Sequence, residues 1–171
     1  MNQTRRAMQL DGEHLLTVLR DKIGALEPDT AIVGIHTGGV WVAERLQTML
    51  GGKHLLGSLA VTLHRDDFGS IGLHPQKKST EMPFSVDGRH VLLVDDVIHT
   101  GRTLRAALNE LFDFGRPASV RLACLVDRGG RELPFSADFV GMTMSLEADQ
   151  ELTLVQSGTS LRFDIQTKIS N

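Results

Sequence analysis

The stretch from Val91 to Thr103, VLLVDDVIHTGRT, concentrates the chemistry of this sequence. Two adjacent carboxylates, Asp95 and Asp96, follow an apolar run. A Thr100-Gly101-Arg102-Thr103 turn then leads into a helix-like stretch. In an open parallel sheet, ligands collect beyond the carboxyl ends of the strands, so both acids are expected to face that crevice. The turn offers free backbone N–H groups at a helix start, which suit a phosphate. The helix dipole contributes only ~0.3–1 kcal/mol. Several N–H and hydroxyl hydrogen bonds must supply the rest, with Gly101 admitting close backbone approach and Thr100 and Thr103 adding hydroxyls. Carboxylates repel phosphate, but they accept hydrogen bonds from vicinal hydroxyls and reach a metal through water. The combination fits a ligand with hydroxyls at one end and phosphate at the other: a ribose phosphate.

The elements that must hold these groups are legible in the apolar pattern. Leu15, Leu16, Val18, Leu19, Ile23 and Leu26 recur at helical spacing behind an Asp11 N-cap, and Pro28 marks the end. AIVGI (31–35) reads as a buried strand, broken at His36-Thr37-Gly38-Gly39, and VWVAERLQTML (40–50) as a helix stopped by Gly51-Gly52. LLGSLAVTLHR (55–65) reads as a strand. Residues 66–83 are polar and turn-rich, a long insert of the kind that often forms a lid. HVLLVDD (90–96) is the clearest strand, followed by a helix over 103–115 and a further apolar strand over 119–127. ADFVGM and the tail from Leu152 suggest shorter strands. Strands alternating with helices imply an α/β fold with a mainly parallel central sheet covered on both faces.

The bulk numbers agree with this reading. The chain has 171 residues, which fits one compact domain over 1–171 with no linker or repeat. A net charge of −3 argues against broad electrostatic binding of nucleic acid while leaving room for a local basic face. The single cysteine, Cys124, sits in VRLACLV, excludes an intramolecular disulfide and reads as a buried thiol. With no apolar run near the ~20 residues of a membrane span and no signal core before Asp11 and Glu13, a cytoplasmic location is expected.

The signature, an apolar strand, two acids, small residues and Thr-Gly-x-Thr, resembles the phosphoribosyl pyrophosphate (PRPP) motif of type I phosphoribosyltransferases. GIHTGGVWVAERL, TLHRDDF, LVDDVIHTGRTLRAALNELFDFGRPASV and LACLVDRGGRELPFSADFVG, in that order, are similar to the PyrR family. Its members are pyrimidine-operon regulators that also have uracil phosphoribosyltransferase activity. GRPASV and DRGGRELP are the most telling phrases, and the resemblance covers most of residues 31–141.

The resemblance implies the type I phosphoribosyltransferase fold with a flexible hood over 66–83. It also implies roles. Asp95 and Asp96 meet the ribose hydroxyls as the catalytic pair, and Val97, Ile98, His99, Thr100, Gly101, Arg102 and Thr103 wrap the 5′-phosphate. Thr37, Gly38 and Gly39 form the pyrophosphate loop, which in relatives often holds a cis peptide. Many PyrR proteins carry arginine where this chain has Gly38, so pyrophosphate contact is expected to be weaker here. Arg65 is the hood's catalytic contact to pyrophosphate, Asp66 and Asp67 approach Mg²⁺ through water as do Asp95 and Asp96, and Lys77 and Lys78 close over the diphosphate. As residues alone, Arg65-Asp66-Asp67 also read as a solvated ion cluster. Asp127, Arg128 and Val140 lie on the base side. His99 is read with the phosphate loop rather than as a base, and the absence of aspartate there weakly disfavours a purine.

The implied cofactor is Mg²⁺. The implied partners are PRPP, uracil and UMP or UTP, pyrimidine-operon leader RNA, and a second copy in a homodimer. Two other readings stay open: a nucleotide-sensing RNA-binding regulator with little transfer activity, and a purine transferase. For RNA the candidate cations are Arg5, Arg6, Arg20, Lys22, Arg45 and Lys53, which are scattered along the chain.

Overall fold

The structure is a computed structural model that describes residues 8–61 and 78–167. Eleven elements follow one another among these residues. Strand β1 spans Met8–Asp11. Helix α1 spans Gly12–Ile23, capped by the Asp11 carboxylate, which accepts the His14 N–H at 3.0 Å. Strand β2 is Ala31–Ile35, buried along its whole length, helix α2 is Gly38–Met49 and strand β3 is Leu55–Leu59. Strand β4 is His90–Ile98, helix α3 Arg102–Asp113 and strand β5 Ser119–Asp127. Strands β6 (Phe139–Thr143), β7 (Gln150–Ser157) and β8 (Ser160–Thr167) complete the order.

Five strands make a parallel sheet in the order β3-β2-β4-β5-β6. Its two faces carry separate cores. On one, Leu16 and Leu19 of α1 and Val42 and Leu46 of α2 pack with Ile32, Leu92 and Leu125. On the other, Leu104, Ala107 and Leu111 of α3 pack with Val33, Val91 and Leu93. Apolar residues at successive strand positions therefore point to opposite cores, and this is why the strands read as near-continuous apolar runs. Cys124 is buried in the second core as a free thiol, and burial pushes its ionisation up.

The expectations hold in outline and need four corrections. Helix α1 ends at Ile23 with Gly24 as its cap, before Pro28. Leu26 packs against the first core from outside the helix. Strand β3 is assigned only to Leu59, where the next N–H, that of Ala60, is taken by Thr80 Oγ1 at 3.0 Å, and residues 62–65 of the expected strand lie outside the described residues. Strand β4 continues two residues past Asp96, to Ile98, because it stays paired with β5 through Ile98↔Asp127. The tail forms a second, antiparallel sheet of order β1-β8-β7. In it Leu152, Leu154, Leu161, Phe163 and Ile165 alternate inward and join the first core.

The second sheet is bound to the helices by more than apolar contact. Arg45 of α2 bonds both carboxylate oxygens of Glu13 on α1, and Glu13 also accepts the Leu161 N–H at 2.8 Å. Burial opposes the charge on Glu13. The Arg45 bond, the Leu161 N–H and the Arg45 charge prevail and hold its ionisation below the usual range. Phe163, with no exposed surface, is the largest side chain this sheet inserts into the core. Phe163→Ala should cost ~3–5 kcal/mol of folding stability, read as a lower midpoint in urea unfolding. A loss below ~1 kcal/mol would mean that the second sheet is not part of the core.

Candidate functional site

The site follows from where the helices leave the sheet. Strands β2 and β4 are neighbours, yet α2 after β2 packs on one face and α3 after β4 on the other. Such a reversal opens a crevice beyond the carboxyl ends of two adjacent strands. Both helices begin there, and at neither does the N-cap residue close the helix start, although Thr100 Oγ1 takes the first N–H of α3. Thr37 at α2 and Gly101 at α3 make no side-chain cap bond, and neither first turn holds an acidic residue. Two uncapped helix starts face one cleft, each presenting backbone N–H groups that suit an anion.

The first turn, Thr37-Gly38-Gly39, lies directly on β4. A Cβ added to Gly39 would fall 2.5 Å from the Val94 carbonyl oxygen and 3.0 Å from Asp95 Cα. One added to Gly38 would overlap Asp96 Oδ2 and lie 2.6 Å from its Cγ. At Gly39 the limit is backbone, so only glycine leaves room for this approach, whereas at Gly38 the neighbour is the Asp96 side chain. The His36–Thr37 peptide is cis. Lys78 donates from Nζ to Thr37 Oγ1, so this cation does reach the turn. His36 Nε2 lies 3.2 Å from Ser58 Oγ, and burial, then the Lys78 charge, hold its ionisation below the usual range.

The second turn, His99 to Thr103, holds Gly101 at φ 93°, a left-handed conformation that side chains rarely adopt. Thr100 Oγ1 accepts the Arg102 N–H at 3.2 Å. The turn is fastened to the segment after β5. The Thr100 carbonyl accepts the N–H groups of Glu132 and Leu133 at 2.9 and 3.0 Å. Arg102 pairs with Glu132 at 2.7 Å. His99 Nδ1 lies 2.9 Å from the Gly129 carbonyl, with its exposed ring outside the strand. Val97 packs against the first core and Ile98 is buried in the second, so these two anchor the turn.

The acidic pair divides, which corrects the expectation that both acids face the crevice. Asp95 is 5% exposed and stays inside the sheet, opposite Cys124, because β4 continues beyond it. Asp96 points to the other side of the strand and is half-buried. The Asp95 carboxyl accepts the Asp96 N–H at 2.9 Å, and Asp96 Oδ1 accepts the Val97 N–H at 3.0 Å. Burial, the neighbouring Asp96 charge and a hydrogen bond to the Asp96 side chain together push the Asp95 ionisation well up.

On the base side, Asp127 ends β5 and Arg131 bridges three elements. Its Nη2 donates to Asp127 Oδ2 at 2.6 Å, its Nη1 to the His99 carbonyl at 2.8 Å and its Nε to the Phe135 carbonyl at 2.7 Å. Burial works against the Asp127 charge, but the Arg131 bond and the Gly129 N–H at 3.0 Å hold its ionisation below the usual range. Arg128 donates its backbone N–H to Ile98 at 3.0 Å, and its Nε is buried without a partner. Val140 does not join this group. It sits opposite Cys124, level with Asp95, packs against the second core and gives its carbonyl to Lys22 at 2.6 Å. The carboxyl end of β6 is Thr143, and the loop after it comes to Asp127 through a Met144 N–H bond of 2.9 Å. Sequence reasoning missed this loop, which carries no motif; Arg131 lies in the DRGGRELP phrase that the resemblance puts beside the base, but its bonds to His99 and Phe135 are set by the fold and not legible there. Arg65, Asp66, Asp67 and Lys77 lie outside the described residues, as does most of 66–83.

Among the described residues no three His, Cys, Asp or Glu side chains converge on a metal position. A cation here would have one or two carboxylates with water and ligand oxygens, the coordination that suits Mg²⁺. No helix of these residues is long and apolar enough to cross a membrane.

Comparison with known proteins agrees with this geometry. The family described as phosphoribosyl transferase domain matches residues 4–155. The chain is 51% identical over 156 residues to the bifunctional protein PyrR of Nitrosococcus oceani, covering 90% of this chain and 88% of that one. It is 48% identical over 164 residues to the protein of that name from Ralstonia nicotianae, covering 92% and 94%. Over 123 residues, 72% of each chain, it is 58% identical to that of Pseudomonas aeruginosa. Two solved structures share the fold. A hypoxanthine phosphoribosyltransferase from Staphylococcus aureus has TM-score 0.64 at 19% identity, over 84% of this chain and 79% of that one. A purine phosphoribosyltransferase from Pyrococcus horikoshii has TM-score 0.58 at 22% identity, over 85% and 92%.

The buried acid carries a stability prediction. Asp95 has a folded ionisation above its unfolded one, so the folded chain keeps a proton that the unfolded chain releases. Its contribution to stability is full below the ordinary aspartate range and is lost as pH rises through the folded value. Asp95→Asn removes that loss. The variant should melt higher than wild type at neutral pH, by ~2–4 °C for each kcal/mol recovered, and the gap should close toward pH 4. Equal melting curves at every pH would contradict the assignment.

Proposed function

Since the chain belongs to the phosphoribosyltransferase family, and within it to the PyrR group, we propose that it transfers the phosphoribosyl group of PRPP to uracil, giving UMP and pyrophosphate. The observation that carries this reading is the pair of uncapped helix starts at one switch-point crevice, with the Asp96 carboxylate between them. The turn at His99 to Thr103 takes the 5′-phosphate, and the turn at Thr37 to Gly39 takes the diphosphate, with Lys78 at hand. Asp96 accepts from the ribose hydroxyls. Asp95, favoured in its protonated form, holds the Asp96 backbone in place rather than offering a second charge. The base lies toward Asp127, Arg128 and the loop at Met144. The whole length reads as one transferase domain.

Bond breaking at the anomeric carbon proceeds through an oxocarbenium-like centre, as in glycoside cleavage. The protein's contribution is then to align base and sugar and to stabilise the departing diphosphate. Mg²⁺, held by Asp96 and ligand oxygens, offsets part of that negative charge when bound. The backbone N–H groups of the two turns are fixed before the ligand arrives, so they require little rearrangement during the reaction.

The relatives' name, bifunctional, supports a second activity; we propose that it is regulation of pyrimidine genes through nucleotide-dependent RNA binding, by a homodimer. Three of the expected cations are engaged within the fold. Lys22 bonds Val140, Arg45 bonds Glu13 and Thr159, and Arg20 pairs with Asp21 at 2.7 Å. A gel shift with pyrimidine-operon leader RNA should show a UMP-enhanced complex, and its absence at low salt would remove this second activity.

Pyrophosphate release from PRPP tests the main reading. It should depend on uracil, outpace hypoxanthine, guanine and orotate, and stop in excess chelator. Release driven best by a purine would replace uracil as the substrate, and full release in chelator would refute the magnesium-dependent reaction.

A further inference from the structure

The imidazole of His99 is held in one orientation, yet one of its nitrogens is free. His99 is the first residue beyond β4, beside the segment after β5, since Ile98 lies opposite Asp127. Its Nδ1 stands 2.9 Å from the Gly129 carbonyl oxygen. A carbonyl only accepts, so Nδ1 carries the proton and the lone pair of the neutral ring is on Nε2. Among the described residues no hydrogen bond reaches Nε2, and the side chain stays exposed. The ring also has a seat. Gly129 and Gly130 take φ of 69° and 74°, and a Cβ on Gly130 would fall 2.6 Å from His99 Cε1. Arg131 Nη1 holds the His99 carbonyl at 2.8 Å. Tautomer, ring and backbone are thus set before any ligand arrives.

Joining uracil to the anomeric carbon releases the proton of ring nitrogen N1, and that proton needs an acceptor. The acids of the site have other partners. Asp127 is paired with Arg131 at 2.6 Å, Glu132 with Arg102 at 2.7 Å, and Asp95 is buried. Asp96 is left for the ribose and the cation. We infer that His99 is the catalytic base of the transfer: its Nε2 takes the N1 proton of uracil as the glycosidic bond forms. The electron pair of the N1–H bond becomes the bond from N1 to the anomeric carbon. The pair of the breaking carbon–oxygen bond leaves with the diphosphate, and the imidazolium passes its proton to water. The Gly129 carbonyl accepts from Nδ1 in both states of the ring, so the seat survives the transfer. The backbone of residue 99 serves the phosphate turn and its side chain serves the base. The inference rests on the transferase reading and on the proposed location of the base.

5-Fluorouracil separates this role from a structural one, because fluorine withdraws electrons and loosens the ring proton before any base acts. Pyrophosphate release is measured on the full chain with uracil and with 5-fluorouracil, for wild type, His99→Gln and His99→Asn. With uracil each variant should lose ~10²-fold or more in kcat. With 5-fluorouracil the loss should be below ~10-fold, since less help is needed to remove the proton. UMP affinity by calorimetry should stay within about threefold of wild type, because the nucleotide has no N1 proton to give. Two variants are used so that a folding failure of one leaves the other to decide. Equal losses with the two bases, or unchanged turnover, would overturn the role of His99 while leaving the transferase reading intact. A loss of UMP binding that matches the loss of turnover would make His99 structural and overturn it too. No release by wild type with either base would overturn both readings.

Discussion

The arrangement depends on one steric constraint: at Gly39 the turn after β2 rests against the backbone of β4 with no space for a side chain. At Gly39 the clearance to the Val94 carbonyl is the limit, and at Gly38 it is the Asp96 carboxyl. Because β2 and β4 are adjacent and send their helices to opposite faces, this contact joins two helix starts that belong to different layers. Without it the starts of α2 and α3 would be two ordinary anion-friendly ends, each worth little alone. Brought together, they open on one crevice, with the Asp96 carboxyl lying against the start of α2.

The second turn is held from the other side. Glu132, Leu133 and Arg131 bind the backbone of His99 and Thr100, so the segment after β5 helps fix the turn at His99 to Thr103. Arg131 also holds Asp127, at the edge where the base is proposed to lie. The telling DRGGRELP phrase of the sequence is therefore largely a brace. Arg131 and Glu132 are consumed in bonds between two site loops, while Arg128 of the same phrase keeps a buried Nε without a partner.

Much of this was legible in the chain. Apolar runs at 31–35, 90–96 and 119–127 gave the central strands because a strand buried on both faces needs no polar side. The Asp-Asp pair and the Thr-Gly-x-Thr turn marked the site because few other reasons place those residues in that order. What stayed hidden was set by partners distant in sequence. Strand β1 exists through its pairing with β8, some 150 residues away by its Met8↔Ile165 register, and four residues beside Asp11 carry too little pattern to announce it. Asp95 and Asp96 look alike in sequence. The period-two alternation of a strand that continues to Ile98 buries one and half-exposes the other. Val140 sits in a phrase that resembles the base side, but its register against Cys124 keeps it below the rim, and the loop at Met144 stands there instead.

That alternation has an electrostatic consequence. Two full carboxylate charges beside two anion sites would make the crevice hostile to its ligand, and adjacent acids cannot both ionise freely when one lies inside the sheet. Burial and the Asp96 charge favour the proton on Asp95, which leaves near one net negative charge on the pair rather than two. The Asp96 carboxyl then has a defined place, held by the Val97 N–H over Gly38, with Lys78 on Thr37 of the same turn. The buried acid is not redundant in this scheme. By accepting the Asp96 N–H it fixes the backbone from which the charged side chain projects, so a neutral residue sets the aim of its charged neighbour.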